Sequence, residues 1–177
     1  MLIQMERRRQ ILKSLWNAAS VVLVAAAVVV LVVTLWIPVY QVQRSSMAPT
    51  LRDGEIVAFI KTGGVEQGNV IAFHHGSQVL IKRVIAIGGD AIDMLEDGTV
   101  ILNGMPLDEP YVSELSAGET DMSFPLVVPE GQYFVLGDQR RTSLDSRNET
   151  IGMIREDQII GRALMRMWPL NRFGSID

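Results

Sequence analysis

Residues 18–37 form an uncharged run of twenty, broken in its apolar character only by Ser20 and Thr34. At 1.5 Å per residue a helix of that length is about 30 Å long, the hydrocarbon thickness of a bilayer. Trp16 and Trp36 stand near its ends, as interfacial aromatics do, and Pro38 follows as a stop. A core helix would carry a polar face, and this run has none. A cleavable leader would have a shorter apolar region and a small-residue step after it, which Val39-Tyr40-Gln41-Val42-Gln43 does not offer. The run therefore predicts a retained transmembrane helix.

Beyond it the pattern changes to short β-type runs separated by Gly, Asp and Asn. Predicted strands cover 55–61, 69–73, 78–87, 91–95, 99–102, 132–136 and 159–168, and Asp97-Gly98 and Asn103-Gly104 read as tight hairpin turns. The stretch 110–129 is polar, rich in Ser and Glu, and reads as a long loop. No segment here has sustained helical periodicity, and there are no internal repeats. The expected fold is mostly β: one transmembrane helix followed by an all-β domain, sandwich-like or barrel-like and large enough to bury one core.

Charge adds orientation to this outline. Arg7, Arg8, Arg9 and Lys13 against Glu6 give +3 before the run, while the whole chain carries −4, so the part after it carries −7. Basic residues before the span predict a cytoplasmic N-terminus at 1–17, a span at 18–37 and an extracytoplasmic domain at 38–177. An acidic domain of that kind lacks the basic face that nucleic-acid binding needs. There is no cysteine, which excludes a disulfide framework, a thiolate nucleophile and a Cys-based zinc site.

Three segments carry candidate chemistry. Ser46 lies in Arg44-Ser45-Ser46-Met47-Ala48-Pro49-Thr50-Leu51; taken alone, a serine before a proline is a turn residue. Lys82 lies in Leu80-Ile81-Lys82-Arg83-Val84-Ile85, where strand alternation puts it on one face with Leu80 and Val84. It is one of only two lysines after the span, against ten arginines. Two readings compete for it: an edge-strand charge that discourages aggregation, or a desolvated amine able to take a proton from a serine. The third segment, 137–147, reads by itself as a hydrophilic loop with exposed ion pairs.

Together, SMAPTL, LIKRVIAIGGD and GDQRRTSLDSR, with GRALMRMWP behind them, resemble the ordered motifs of bacterial type I signal peptidases, membrane-bound serine proteases with a Ser-Lys dyad. The resemblance runs from the span to Pro169. It implies a signal-peptidase-like β domain, Ser46 as nucleophile, Lys82 as general base and Ser143 as the hydroxyl that orients the amine. Asp145 would be an ion-paired structural group with Arg83 and Arg147. Small-residue pockets for Ala-X-Ala cleavage would be lined by Tyr40, Val42, Met47, Leu51, Val57, Ala72, Leu80 and Ile81. The implied partners are signal peptides of secretory preproteins, the lipid bilayer of the cell membrane and the translocation machinery nearby, with no metal or organic cofactor. Nine residues separate Ile37 from Ser46, an extended reach of at most about 30 Å. The nucleophile is thus expected close to the membrane surface.

The chain departs from the family pattern in places. Arg44 stands where a Ser or Gly is common, a position linked to the oxyanion hole. Gln139, Leu144 and Asn69 also differ, and the proline frequent in the lysine motif is missing. Other classes fit less well. A Ser-His-Asp hydrolase would need His74 or His75 and has no Gly-x-Ser-x-Gly elbow. A self-cleaving repressor-type Ser-Lys domain would not explain the span, and a non-enzymatic peptide-binding protein would tolerate loss of Ser46. Lysine rather than histidine at 82 resembles the bacterial or organellar branch.

Overall fold

The computed structural model describes residues 2–61 and 64–176; within the first helix the side chains of 2–12, 14 and 32–35 lie outside the described residues. The chain forms two compact units, residues 1–37 and 38–177. The first is a single helix, α1 (Leu2–Trp36). Its apolar side chains are exposed wherever they are described, as at Val21, Val22, Leu23, Val29 and Leu31. Among the described residues no helix is long and apolar enough to cross a membrane. The expected span at 18–37 includes side chains outside the described residues, as does the arginine cluster before it.

The second unit is built on antiparallel strands. Its larger sheet has the order β1 (Val39–Gln41), β2 (Ile56–Ile60), β11 (Ile159–Trp168), β3 (Val70–His75), β4 (Gln78–Ile87), β9 (Gln132–Leu136) and β10 (Ile154–Arg155). The smaller one has the order β7 (Met105–Pro106), β6 (Val100–Leu102), β5 (Ala91–Met94) and β8 (Leu126–Val127). All seven sequence-predicted strands are present within two residues at either end. The strands absent from the sequence reading, β1, β7, β8 and β10, are two or three residues long, too short to show an alternation. Asn103 and Gly104 both have positive φ, 52° and 83°, as the tight turn between β6 and β7 requires.

β4 is the strand on which the domain is organised. Its residues 81–86 are all buried, the pattern of a strand covered on both faces. Ile81 packs with Val42, Met47, Leu51, Val57, Phe59 and Ala72. Ile85 and Ala86 pack with Ile92 and Val100 of the small sheet and with Phe134 and Leu136. Val84 packs with Ile71, Phe73 and Val135. Three apolar clusters thus meet on ten residues, fixing the backbone that carries Lys82. Each fully buried aliphatic contributes about 1.5–3 kcal/mol, so this strand cannot shift without disturbing all three.

Candidate active site

The segment 45–51 is a compact turn. Ala48 N donates to Ser45 O at 2.9 Å and Leu51 N to Met47 O at 2.8 Å. Met47 and Leu51 are buried in the first cluster, which anchors the turn by its apolar side chains. Arg44, before it, is left-handed with φ 69° and donates its N–H to Asp53 Oδ1 at 2.6 Å. Its side chain is exposed. The turn leaves Ser46 half-buried.

Lys82 reaches this serine: Nζ donates to Ser46 Oγ at 2.7 Å. The lysine is only 3% exposed and stands in register with Ile71 of β3. Burial lowers its pKa from the ordinary 10.5 to about 8. Asp145 and Asp138 pull it back upward and Arg147 pushes it down, but removal of the ammonium from water dominates.

The third segment closes over this pair. Gly137 N donates to Asp145 Oδ2 at 3.0 Å, and Gln139 N donates to Ser46 O at 3.0 Å. A Cβ on Gly137 would lie 2.1 Å from Ser143 Oγ and 2.5 Å from Ser46 O, so only glycine permits this approach. Asp145 takes a bidentate pair from Arg147, with Nε–Oδ1 at 2.8 Å and Nη2–Oδ2 at 2.9 Å. Arg147 also donates to the carbonyls of Ala117 and Arg140.

Two expectations change in detail. Arg83 and Arg147 were expected to share Asp145. Arg83 instead makes its bidentate pair with Asp138, Nε–Oδ1 and Nη2–Oδ2 both at 2.9 Å. Arg83 projects from the middle of β4 to Asp138, whereas Arg147 lies in the turn beyond Asp145 and pairs with it two residues away. Ser143 Oγ is buried without a hydrogen-bond partner, so its expected bond to the amine is not made in this structure. The side chain lies over Gly137, and the amine is engaged with Ser46.

The pocket list also divides. Leu51, Val57 and Ala72 have no exposed surface, and Val42 and Met47 have at most 3%. All five are packing groups of the first cluster, with Tyr40 partly buried against it. Leu80 belongs to the third cluster. Tyr40, Leu80 and Ile81 keep surface that a peptide could touch. Two clefts of about 330 and 310 Å³ lie elsewhere, one lined by Arg52, Trp168 and Arg172, the other by Val100, Leu107 and Leu115. His74 and His75 sit at the β3–β4 hairpin opposite Val79 and Gln78. That is three or four register positions from Lys82, on the order of 10 Å.

Sequence reasoning missed several members of the site. Asp138 pairs with Arg83 and accepts a 2.5 Å hydrogen bond from Thr50 Oγ1. Arg140 is buried and bidentate with Glu109, just before the long loop, and its Nε donates to Gly137 O at 3.0 Å. Glu55 pairs with Arg166 and Arg172, and Arg166 Nη2 donates to Thr50 O at 2.6 Å. Long-range arginine–carboxylate pairs leave no periodic trace in a sequence. The surplus of arginine over lysine was the one visible sign of them.

Comparison with known proteins decides the family. The model described as signal peptidase, peptidase S26, matches residues 15–168. The chain belongs to the signal peptidase S26 family. Signal peptidase IB of Staphylococcus aureus is 40% identical over 154 residues, covering 76% of this chain and 79% of its own. Signal peptidase I U of Bacillus subtilis is 35% identical over 162 residues, covering 85% of each. A crystal structure of a signal peptidase I from Enterococcus faecalis V583 aligns with 58% of this chain and 98% of its own, at 28% identity and a TM-score of 0.47. This S26 peptidase is thus a hydrolase of the serine type with a mostly β catalytic domain.

Proposed function

We propose that this S26 peptidase is a signal peptidase I. It removes N-terminal signal peptides from exported preproteins by cutting after small residues of the Ala-X-Ala type, with Ser46 and Lys82 as its dyad. The observation that carries the reading is the 2.7 Å separation between Nζ of the buried Lys82 and Oγ of the half-buried Ser46. With its pKa lowered to about 8, roughly half of the lysine is a free amine at pH 8, whereas an ordinary lysine would be free well under 1% of the time. The neutral amine takes the Ser46 proton as Oγ attacks the scissile carbonyl. The resulting ammonium gives that proton to the departing amine, leaving an acyl-enzyme. Water, deprotonated by the same amine, then releases the new carboxylate of the signal peptide and regenerates Ser46.

The developing oxyanion needs donors, each contributing about 2.7–4 kcal/mol. The Ser46 backbone N–H serves there. The Arg44 side chain points to solvent, so it supplies none. Substrate side chains would rest on Tyr40, Leu80 and Ile81, with Val42 and Met47 as the apolar floor and Leu51, Val57 and Ala72 packed behind. Shallow surfaces of this kind suit alanine and exclude larger groups. The uncharged run 18–37 supports a single-pass anchor in the cell membrane, and the preceding arginines support a cytoplasmic N-terminus. In that arrangement the bilayer and the translocation machinery are the chain's immediate surroundings.

The test is incubation of the detergent-solubilised full chain with a secretory preprotein, followed by N-terminal mapping of the product. A single new N-terminus one residue past an Ala-X-Ala step is expected. Cleavage after bulky or charged residues, or a reaction that persists in Ser46→Ala, would contradict it.

A further inference from the structure

Glu109 and Tyr111, flanking the start of the stretch 110–129 that reads in the sequence as a long loop, grip both halves of the site from outside. Tyr111 lies over the guanidinium of Arg83, with Cζ 3.9 Å from the ring centroid, a cation–π contact. Arg83 is the neighbour of Lys82 on β4 and holds Asp138 through its bidentate pair. The phenol of Tyr111 donates to Glu109 Oε1 at 3.0 Å. Burial holds that phenol protonated far beyond working pH, so it stays a donor throughout. Glu109 is the carboxylate that pairs with the buried Arg140. Arg140 in turn donates to the carbonyl of Gly137, the residue against which Ser46 O and Ser143 lie.

Two residues of one short segment therefore act on the base strand through Arg83 and on the serine side through Arg140. We propose that Glu109 and Tyr111 are positioning residues that keep Ser46 and Lys82 at bonding distance. They touch neither substrate nor reacting atoms. This rests on the Ser-Lys reading above. A brace at this place has a clear physical use. The turn of Ser46 is irregular backbone outside the sheet, and the Gly137 segment leaves the sheet just after Leu136, the β9 residue paired with Arg83, so beyond that point no ladder fixes either one against β4. Two buried arginines, each pinned on a second side by the same segment, supply that constraint.

A residue that merely stabilised the fold would lower the melting temperature but leave the rate per folded molecule unchanged. A positioning residue changes that rate and the pH at which the base titrates. In the full chain in detergent, Tyr111→Leu is expected to lower kcat per folded molecule ten- to a hundred-fold with KM within about twofold. The midpoint of its pH–rate curve should rise toward the ordinary lysine range as the amine relaxes into wetter surroundings. Tyr111→Phe keeps the stacking and should be only a few-fold slower. Glu109→Gln keeps the size of the side chain but loses its negative charge and one of the two oxygens that accept from Arg140, and should fall between the two. Glu109→Asp should recover part of the loss. Should Tyr111→Leu not fold, Glu109→Gln reads the same proposal through the Arg140 arm. Unchanged kcat and pH midpoint in Tyr111→Leu and Glu109→Gln, with Ser46→Ala and Lys82→Ala inactive, would overturn this proposal alone. Activity retained in Ser46→Ala or Lys82→Ala would instead overturn the dyad on which it rests.

Discussion

Replacing Lys82 with alanine is expected to lower kcat by about 10⁴-fold or more, and Ser46→Ala by as much, because removing either member of a catalytic unit costs nearly the whole of it. Lys82→Arg should be as inactive, since a guanidinium does not give up its proton at any working pH. Steady-state kinetics on a signal-peptide substrate read these losses. Lys82→Met should at the same time raise stability below pH 8. The folded-state pKa of about 8 lies below the unfolded value near 10.4. The buried ammonium therefore costs about 3 kcal/mol wherever both states are protonated, and that cost disappears as pH rises through the window between the two values. Urea titration at pH 6 and pH 10.5 should show the gain at the first and little of it at the second. Inactive and stabilised in the same variant is the signature of a group held for chemistry at the expense of the fold.

Gly137→Ala is expected to be the most damaging change outside the dyad. Its Cβ would meet Ser143 Oγ at 2.1 Å and Ser46 O at 2.5 Å. The first obstacle can be moved, but the second is backbone of the nucleophile turn itself. Relief must come from moving Ser46 away from Lys82 or the whole segment 137–147 outward. A shift of about 1 Å at reacting atoms lowers rate by about 100-fold, and overpacking of this kind costs about 1–3 kcal/mol of stability. The double variant Gly137→Ala with Ser143→Gly removes only the movable obstacle and should not recover the rate. Kinetics and thermal melts on both variants check this. Near-normal kcat in Gly137→Ala would mean that the third segment does not set the position of Ser46.

What the sequence made legible follows from what leaves a local trace. β4 and β11 are ten residues each, with enough apolar positions to be read within a residue. The turns at Asp97-Gly98 and Asn103-Gly104 were readable because each needs positive φ at a glycine. The strand pairs β7–β6 and β10–β9 were not, because two-residue strands are made by tertiary pairing alone. Ser46 and Lys82 stood out through ordered motifs, and their side chains lie at hydrogen-bonding distance. Arg83 was placed with the wrong acid because Asp138 and Asp145 are equally plausible on paper, seven residues apart in one loop. Glu109 and Tyr111 were passed over because their partners lie about thirty residues away in sequence, at Arg140 and Arg83. The pocket list mixed surface with core for a related reason: apolar residues beside a catalytic group look alike in sequence whether they face substrate or one another.

Whether the buried Lys82 serves as the base for Ser46 is read from the pH dependence of single-turnover cleavage. Chemistry is then read separately from substrate binding and product release. A single ascending step with its midpoint near pH 8 is expected, from one group that must lose a proton, with no such step in the residual rate of Lys82→Ala. A rate already maximal at pH 6, or a step near 6.5 that disappears with His74 or His75 and persists without Lys82, would contradict it.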